Sequence, residues 1–345
     1  MKVSFLVTYY NQKKYVKASL DSILAIEKPC DWEIIIGDDG STDGTIEVIN
    51  SYIKKYPNKI KLYIMPREKD GKYDSVKRAS ANRLNILEHS TGDVFCTLDG
   101  DDYYCDAFFI KDAISIFEKY SDISVVAFGY KYVGNVTGSK EITLPAGVNN
   151  QRVDKKTFLK DFYLHAGGCV HRKCFDDNRI EFIRKIGYFD DNNIVINSLN
   201  YGEMFAVNRA IYAYRQTGCS LYTRMNDLEQ AVLNVQGMDV DLRLIDKSMC
   251  HEIINRYAAS LIFMYIWKKR IHLLLGAKRV EKYEQGCATL QPSYCYEILK
   301  YDTLGKNNKK LKLTVKQVMK MKKLYTFKQY VKYYLKGFLN EKTDI

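Results

Sequence analysis

The sequence predicts an α/β protein, with a mixed, mainly parallel sheet flanked by helices and a helical C-terminal extension. Three observations carry that prediction. Over residues 1–130, short β-branched runs alternate with longer amphipathic segments, the rhythm of parallel strands joined by crossover helices. Polar, acid-rich turns follow the apolar runs, which is where an open parallel sheet gathers its ligands. A hydrophobic fraction of 46%, with 28 Tyr and 15 Phe against only 5 Pro and 20 Gly, supplies a sizeable core and argues against a disordered or fibrous chain.

The strands are expected at Val3 to Thr8, Glu33 to Gly37, Ile60 to Ile64, Asp93 to Leu98 and Ile123 to Phe128. Helices are expected near 13–26, 43–55, 76–89 and 107–119, with Ser41-Thr42-Asp43 offering caps for the second. Residues 131–160 lose this regularity, because Gly134, Gly138, Pro145, Gly147 and Asn149-Asn150 mark turns. A mixed region follows to about 224, and from Asn226 the pattern is mainly helical. Two domains are therefore expected, residues 1–224 and a basic helical region, 225–345.

The formal net charge of +12 resembles a nucleic-acid signal until it is located along the chain. Residues 301–345 hold 12 Lys and 3 acids, so the basicity sits in the tail and the body is nearly balanced. Nucleic acid is not an expected partner of the body. In the tail Phe327, Tyr330, Val331, Tyr334, Leu335, Phe338 and Leu339 recur at helical spacing, with Lys328, Lys332 and Lys336 on the other side. Leu311, Val315 and Val318 make a similar stripe. Two readings stand, helices packed on their own domain or helices lying on anionic lipid. Met1-Lys2 runs straight into the first strand and the apolar stretch Tyr257 to Trp267 is short, so neither a secretory leader nor a spanning helix is expected. Nine Cys without metal or redox spacing fit a reduced, cytoplasmic setting.

Three strand ends stand out: Thr8-Tyr9-Tyr10-Asn11, Asp38-Asp39-Gly40-Ser41 and Asp99-Gly100-Asp101-Asp102. Residues 8–18 contain no glycine and no Walker loop occurs, so phosphates would have to be neutralised by something other than a glycine-rich turn. Clustered Asp99, Asp101 and Asp102 would repel one another unless a hard divalent cation, Mg2+ or Mn2+, lay among them. Such an ion, bridging to a diphosphate, would offset the charge of a nucleotide leaving group.

These residues carry a resemblance. Val3 to Asn11, Leu20-Asp21-Ser22-Ile23-Leu24, Trp32 to Thr45, Ala81-Asn82-Arg83, Thr91-Gly92-Asp93 and Leu98 to Asp102 together resemble the opening of the family 2 inverting glycosyltransferases. Phe189-Asp190-Asp191, Ala213-Tyr214-Arg215 and Ser220 look like the acceptor half more loosely, and nothing after 225 does. The resemblance implies a glycosyltransferase-A fold, a nucleotide-sugar donor, a UDP-sugar above all, and a cation at the Asp-x-Asp motif. It implies that Asp39 accepts the base N–H, that Thr8 and Tyr10 line the nucleoside pocket, that Asp99 meets ribose or metal-bound water, and that Asp101, with Asp102 as a possible second, ligates the metal. Asp191 would be the base on the acceptor side, although the family's Glu-Asp is Asp190-Asp191 here; the bland reading is a helix N-terminus favoured by both acids.

A cation beside the diphosphate is expected from Lys69, Lys72, Lys77 or Arg78, or from Arg215, which could equally make a surface ion pair. His165 and His171 flank Gly167-Gly168 and read as structural, with His165 the one able to complete a metal shell. The acceptor expected is a hydroxyl of a glycan or a lipid-linked saccharide, met at the inner face of a membrane. A haloacid-dehalogenase-like phosphatase fits poorly, because Asp99 follows the fourth strand candidate rather than the first. The remaining alternative is a non-enzymatic, basic protein that tethers membrane or nucleic acid through its tail.

Overall fold

The computed structural model describes residues 1–67, 74–134, 140–142, 144–145, 147–162, 164–217, 227–245, 247–249, 252–253 and 256–257. Lys69, Lys72, Ser220, most of the apolar stretch 257–267 and the basic helices of the tail lie outside the described residues. The chain divides into two compact units, and the first, Met1–Met225 with Arg243–Ile245, holds the sheet. A helix at Asp227–Leu244 lies mostly in the second.

The opening elements follow the sequence closely. Strands β1 (Lys2–Tyr9), β2 (Asp31–Asp38), β3 (Ile60–Ile64) and β4 (Val94–Asp99) alternate with helices α1 (Lys13–Leu24), α2 (Thr45–Lys55) and α3 (Ser75–His89). The chain continues through β5 (Tyr103–Tyr104), α4 (Phe109–Lys119), β6 (Ile123–Val133), β7 (Lys140–Ile142), β8 (Gln151–Val153), α5 (Lys155–Asp161), β9 (Cys169–Arg172), α6 (Asp177–Ile186), α7 (Asp191–Ser198) and β10 (Glu203–Arg215). They form one mixed sheet in the order β3-β2-β1-β4-β9-β6-β10-β5, with β7 added beside β6 and β8 beside β10. The β3-β2-β1-β4 half is parallel throughout, β6 and β10 are parallel to each other, and β9 is antiparallel to both its neighbours.

Both faces of β1, β2 and β4 are buried, and the two-residue period of a strand shows why. Val3, Phe5, Val7 and Tyr9 of β1, with Ile34 and Ile36 of β2, pack against Val16, Leu20, Ile23, Ile49 and Phe117 of α1, α2 and α4. Leu6 and Ile35 point the other way, into Leu84, Leu87, Ile183 and Ile194 of α3, α6 and α7. The expected caps for α2 are corrected in detail. Its N-cap is Gly44, at φ 93 in the left-handed region, and Asp43 instead accepts from the Thr45 N–H at 3.0 Å from one residue further out.

Register sets the level at which the strands end. Thr8 pairs with Asp99 and Tyr9 with Asp38, so β1, β2 and β4 terminate side by side and deliver their following turns to one crevice. Leu20 is fully buried beneath that half of the sheet. Leu20→Ala is expected to lower unfolding free energy by about 2–5 kcal/mol in urea denaturation.

Candidate active site

The turns at the strand ends are tied together before any side chain reaches for a ligand. Asn11, held at φ 51, accepts from Thr42 N–H at 2.8 Å and gives its own N–H to Ser41 Oγ at 2.8 Å. Ser41 in turn donates from both N and Oγ to Asp38, at 2.6 and 2.7 Å, so the fully buried Asp38 serves the turn rather than the cleft. The Asp-Gly-Asp-Asp turn lies directly on Tyr9. A Cβ at Gly100 would fall 2.1 Å from Tyr9 Cδ1 and 2.6 Å from Gln12 Oε1, so only glycine lets the acidic turn settle there.

Asp39 is held by two guanidinium groups. Arg67 donates from Nε to the Asp39 carbonyl at 2.7 Å and pairs with its carboxylate, and Arg78 donates from Nε to Oδ1 at 2.7 Å. Arg67 also lies 4.0 Å over the Tyr10 ring and donates to its hydroxyl at 3.1 Å. Tyr10, Asp39 and Arg78, all singled out in the sequence, therefore form one cluster, which Arg67 completes. Strand-end logic would have found Arg67, since it stands three residues beyond β3.

A second cluster surrounds Asp99. Arg83 donates to both carboxylate oxygens at 2.9 and 3.2 Å, and Thr8 Oγ1 donates at 3.3 Å. Burial opposes the Arg83 charge, but Asp99, Asp191 and Asp190 more than compensate and hold it protonated. Arg78 and Arg83 lie on the same helix, α3, and Asn82 fixes that helix to the sheet by donating to the Gly37 carbonyl at 3.0 Å. The Ala81-Asn82-Arg83 motif thus has a mechanical content: one residue anchors, the next reaches the acidic turn.

The remaining acids are pushed towards their neutral forms. Burial, reinforced by the charge of Asp99, raises the Asp101 carboxyl to about 6. Burial, with Asp101 and Asp99, also raises Asp102, which accepts the Arg215 N–H at 2.7 Å and so holds the end of β10 against the turn. The Arg215 side chain donates from Nε to the Asp101 carbonyl at 2.6 Å and lies 4.6 Å over Tyr103 and 5.4 Å over Tyr15. Across the cleft Asp191 opens α7, with His165 Nδ1 3.3 Å from its Oδ2. Burial and Asp191 raise its neighbour Asp190, with Arg83 opposing. Arg83, Asp99, Asp102, His165, Asp191 and Tyr214 all line one cleft. His171 is elsewhere, fully buried against Phe95 and bonded to Ser198 Oγ at 3.0 Å.

Comparison with known proteins decides the family. The sequence profile described as glycosyl transferase family 2 matches residues 4–178. The chain belongs to glycosyl transferase family 2. Among curated family relatives, the poly(ribitol-phosphate) beta-N-acetylglucosaminyltransferase TarS of Staphylococcus aureus is 30% identical over 271 residues, 74% of this chain and 44% of that protein. The minor teichoic acid biosynthesis protein GgaA of Bacillus subtilis is 27% identical over 229 residues, 62% of this chain and 47% of that one. The chain spans about half the length, or less, of the curated relatives it matches. A crystal structure of S. aureus TarS residues 1–349 in complex with UDP-GlcNAc superposes with a TM-score of 0.55 at 18% identity, covering 75% of this chain and 72% of that one. The family's fold, the glycosyltransferase-A type, is therefore the fold of this chain.

Because the ring of Tyr9 fills the space beneath Gly100, Gly100→Ala is expected to cost about 1–3 kcal/mol of stability, read by urea denaturation.

Proposed function

We propose that this family 2 protein is an inverting transferase, moving a sugar from a UDP-sugar to a hydroxyl of a glycan or lipid-linked acceptor. The observation that carries the reading is the spacing of roles at the strand ends: a base-binding cluster at Asp39, a diphosphate end at Asp99 and Asp101, and a carboxylate at Asp191 that lines one cleft with Asp99. The relatives named for poly(ribitol-phosphate) and teichoic acid synthesis support a surface-polymer acceptor.

In this reading Asp39 accepts the imide N–H of uracil, while Arg67 and Arg78 hold its carboxylate and offer donors to the ring carbonyls. Tyr10, stacked with Arg67, walls the base, and Thr8 lies below the ribose end. Asp191 takes the acceptor hydroxyl proton as that oxygen attacks the anomeric carbon; the bond from that carbon to the diphosphate breaks and its electron pair leaves with UDP. Arg83 holds Asp99 aimed at the diphosphate end, and Arg215 closes the far side of the turn.

The residues present fit a divalent cation. Asp99 and Asp101 offer hard oxygen ligands, and the Asp101 carboxyl, raised first by burial and then by the charge of Asp99, would be favoured in its ionised form by a cation beside it. Among the described residues no group of three or more acidic, His or Cys side chains, Asp99, Asp101 and Asp102 included, is arranged for a metal. Bound there, Mn2+ or Mg2+ would supply charge neutralisation for the departing diphosphate. Among the described residues no helix is long and apolar enough to cross a membrane, and we infer a cytoplasmic setting with peripheral attachment through the basic tail.

A panel of nucleotide sugars with Mn2+, read by nucleoside diphosphate release, tests the class. UDP-sugars are expected to turn over, and turnover of GDP-sugars alone would overturn the donor assignment. Asp191→Asn is expected to lower turnover about 10²-fold or more with UDP affinity unchanged, and a near-normal rate would remove Asp191 as base. Since a metal ligand must be deprotonated, Mn2+ affinity measured by calorimetry should fall as pH drops below about 6 and level off above it, and Asp101→Ala should abolish the Mn2+-dependent part of UDP affinity.

A further inference from the structure

Asp191 has a partner on its own side of the cleft. His165 precedes the tight turn Ala166–Gly168, and its Nδ1 lies 3.3 Å from Asp191 Oδ2. The imidazole is set by aromatic rings: Tyr130 meets it edge-on with centroids 4.7 Å apart, Tyr214 lies tilted across it at 4.8 Å, and Tyr212 stands edge-on at 6.4 Å. With side chains only 15% and 29% exposed, His165 and Asp191 form a half-buried pair in the cleft wall.

The charges around the pair explain why a donor is needed there. Asp191 feels Asp190 beside it, Asp102 from the β4 turn, Cys169 of β9 and Tyr212 of β10, with Arg83 of α3 as the cation facing this group. The hydroxyls of Tyr130, Tyr212 and Tyr214 belong to the wall that β6 and β10 supply. A carboxylate in such acidic company takes up a proton more readily, and once protonated it cannot act as a base. An N–H donated to its oxygen opposes that drift.

We propose that His165 is a positioning residue for the base: its Nδ1–H donates to Asp191 Oδ2, fixes the direction of the carboxylate and favours its ionised form. Tyr130 and Tyr214 hold the ring in the plane this requires. The inference rests on the reading above only in taking Asp191 as the group that receives the acceptor proton. That proton passes from the acceptor hydroxyl to Asp191, and the proton on His165 Nδ1 stays where it is.

Two variants of the full chain separate the donor from the ring. His165→Asn keeps an N–H close to the place of Nδ1, and His165→Phe keeps a ring between the tyrosines and removes the donor. With 13C-carboxyl-labelled Asp, the Asp191 resonance is identified by its loss in Asp191→Asn. Its titration midpoint is expected to rise by about one pH unit in His165→Phe and to stay near that of the parent in His165→Asn. The acid limb of kcat/KM for UDP release from UDP-GlcNAc or UDP-glucose should move in parallel, with Mn2+ and UDP affinities unchanged by calorimetry. An unmoved midpoint in His165→Phe overturns the proposal and leaves a packing role. A loss of Mn2+ affinity in both variants without a change in the Asp191 titration overturns it in favour of a metal ligand. If the midpoint moves as expected while Asp191→Asn turns over at the parent rate, the pair stands and the base assignment fails.

Discussion

The structure depends on keeping many carboxylates close together without letting them drive the strand ends apart. Asp39, Asp99, Asp101, Asp102, Asp190 and Asp191 all belong to the C-terminal side of one sheet, and helix α3 carries much of the answer. Arg78 and Arg83 lie five positions apart on that helix and reach different acidic turns, while Asn82 fastens the helix to β2 between them. Gly37 makes the fastening possible, since a Cβ there would sit 2.2 Å from Asn82 Oδ1. Charge balance and backbone packing are thus solved by the same few turns of helix, so neither is free to change without the other.

The two ends of the cleft are treated differently. At the Asp39 end, arginines from two segments hold one carboxylate. At the Asp99 end, Arg83 pairs with Asp99 and Arg215 binds the Asp101 carbonyl, and burial raises the Asp101 and Asp102 carboxyls. Among the described residues, the acids there outnumber the arginines that face them. The shortfall is local, because the strand cores beneath it are apolar and fully buried, with Val7 and Leu98 next to the turns at 0% and 2% exposure. That combination of rigid floor and unbalanced charge is how a protein holds an electrostatic demand ready for a ligand.

The sequence made β1 to β4 and α1 to α4 legible because β1, β2 and β4 are buried on both faces and the helices carry apolar stripes, so periodicity and burial agree. Strand β10 was not legible as a 13-residue strand: it changes partners along its length, from β8 to β5, and shifts register against β6 around Asn208-Arg209, which spoils the two-residue pattern. Strand β5 is two residues long and exists because β10 passes beside it. In the site, Thr8, Asp39 and Asp99 could be placed from sequence since each ends an apolar run. Arg67 also follows a strand candidate and was open to the same logic, whereas the pairing of His165 with Asp191 was not, because it spans 26 residues of chain that no local pattern encodes.

The anchoring of α3 has a mechanical corollary. A helix whose side chains touch both ends of a crevice ties them together, so that a shift of the helix at the Asp39 end would also move the Arg83 contact at Asp99. On the function proposed above, a nucleoside at the Asp39 end would then be sensed at the Asp99 end, and an ill-fitting base would disturb the acidic turn without touching it.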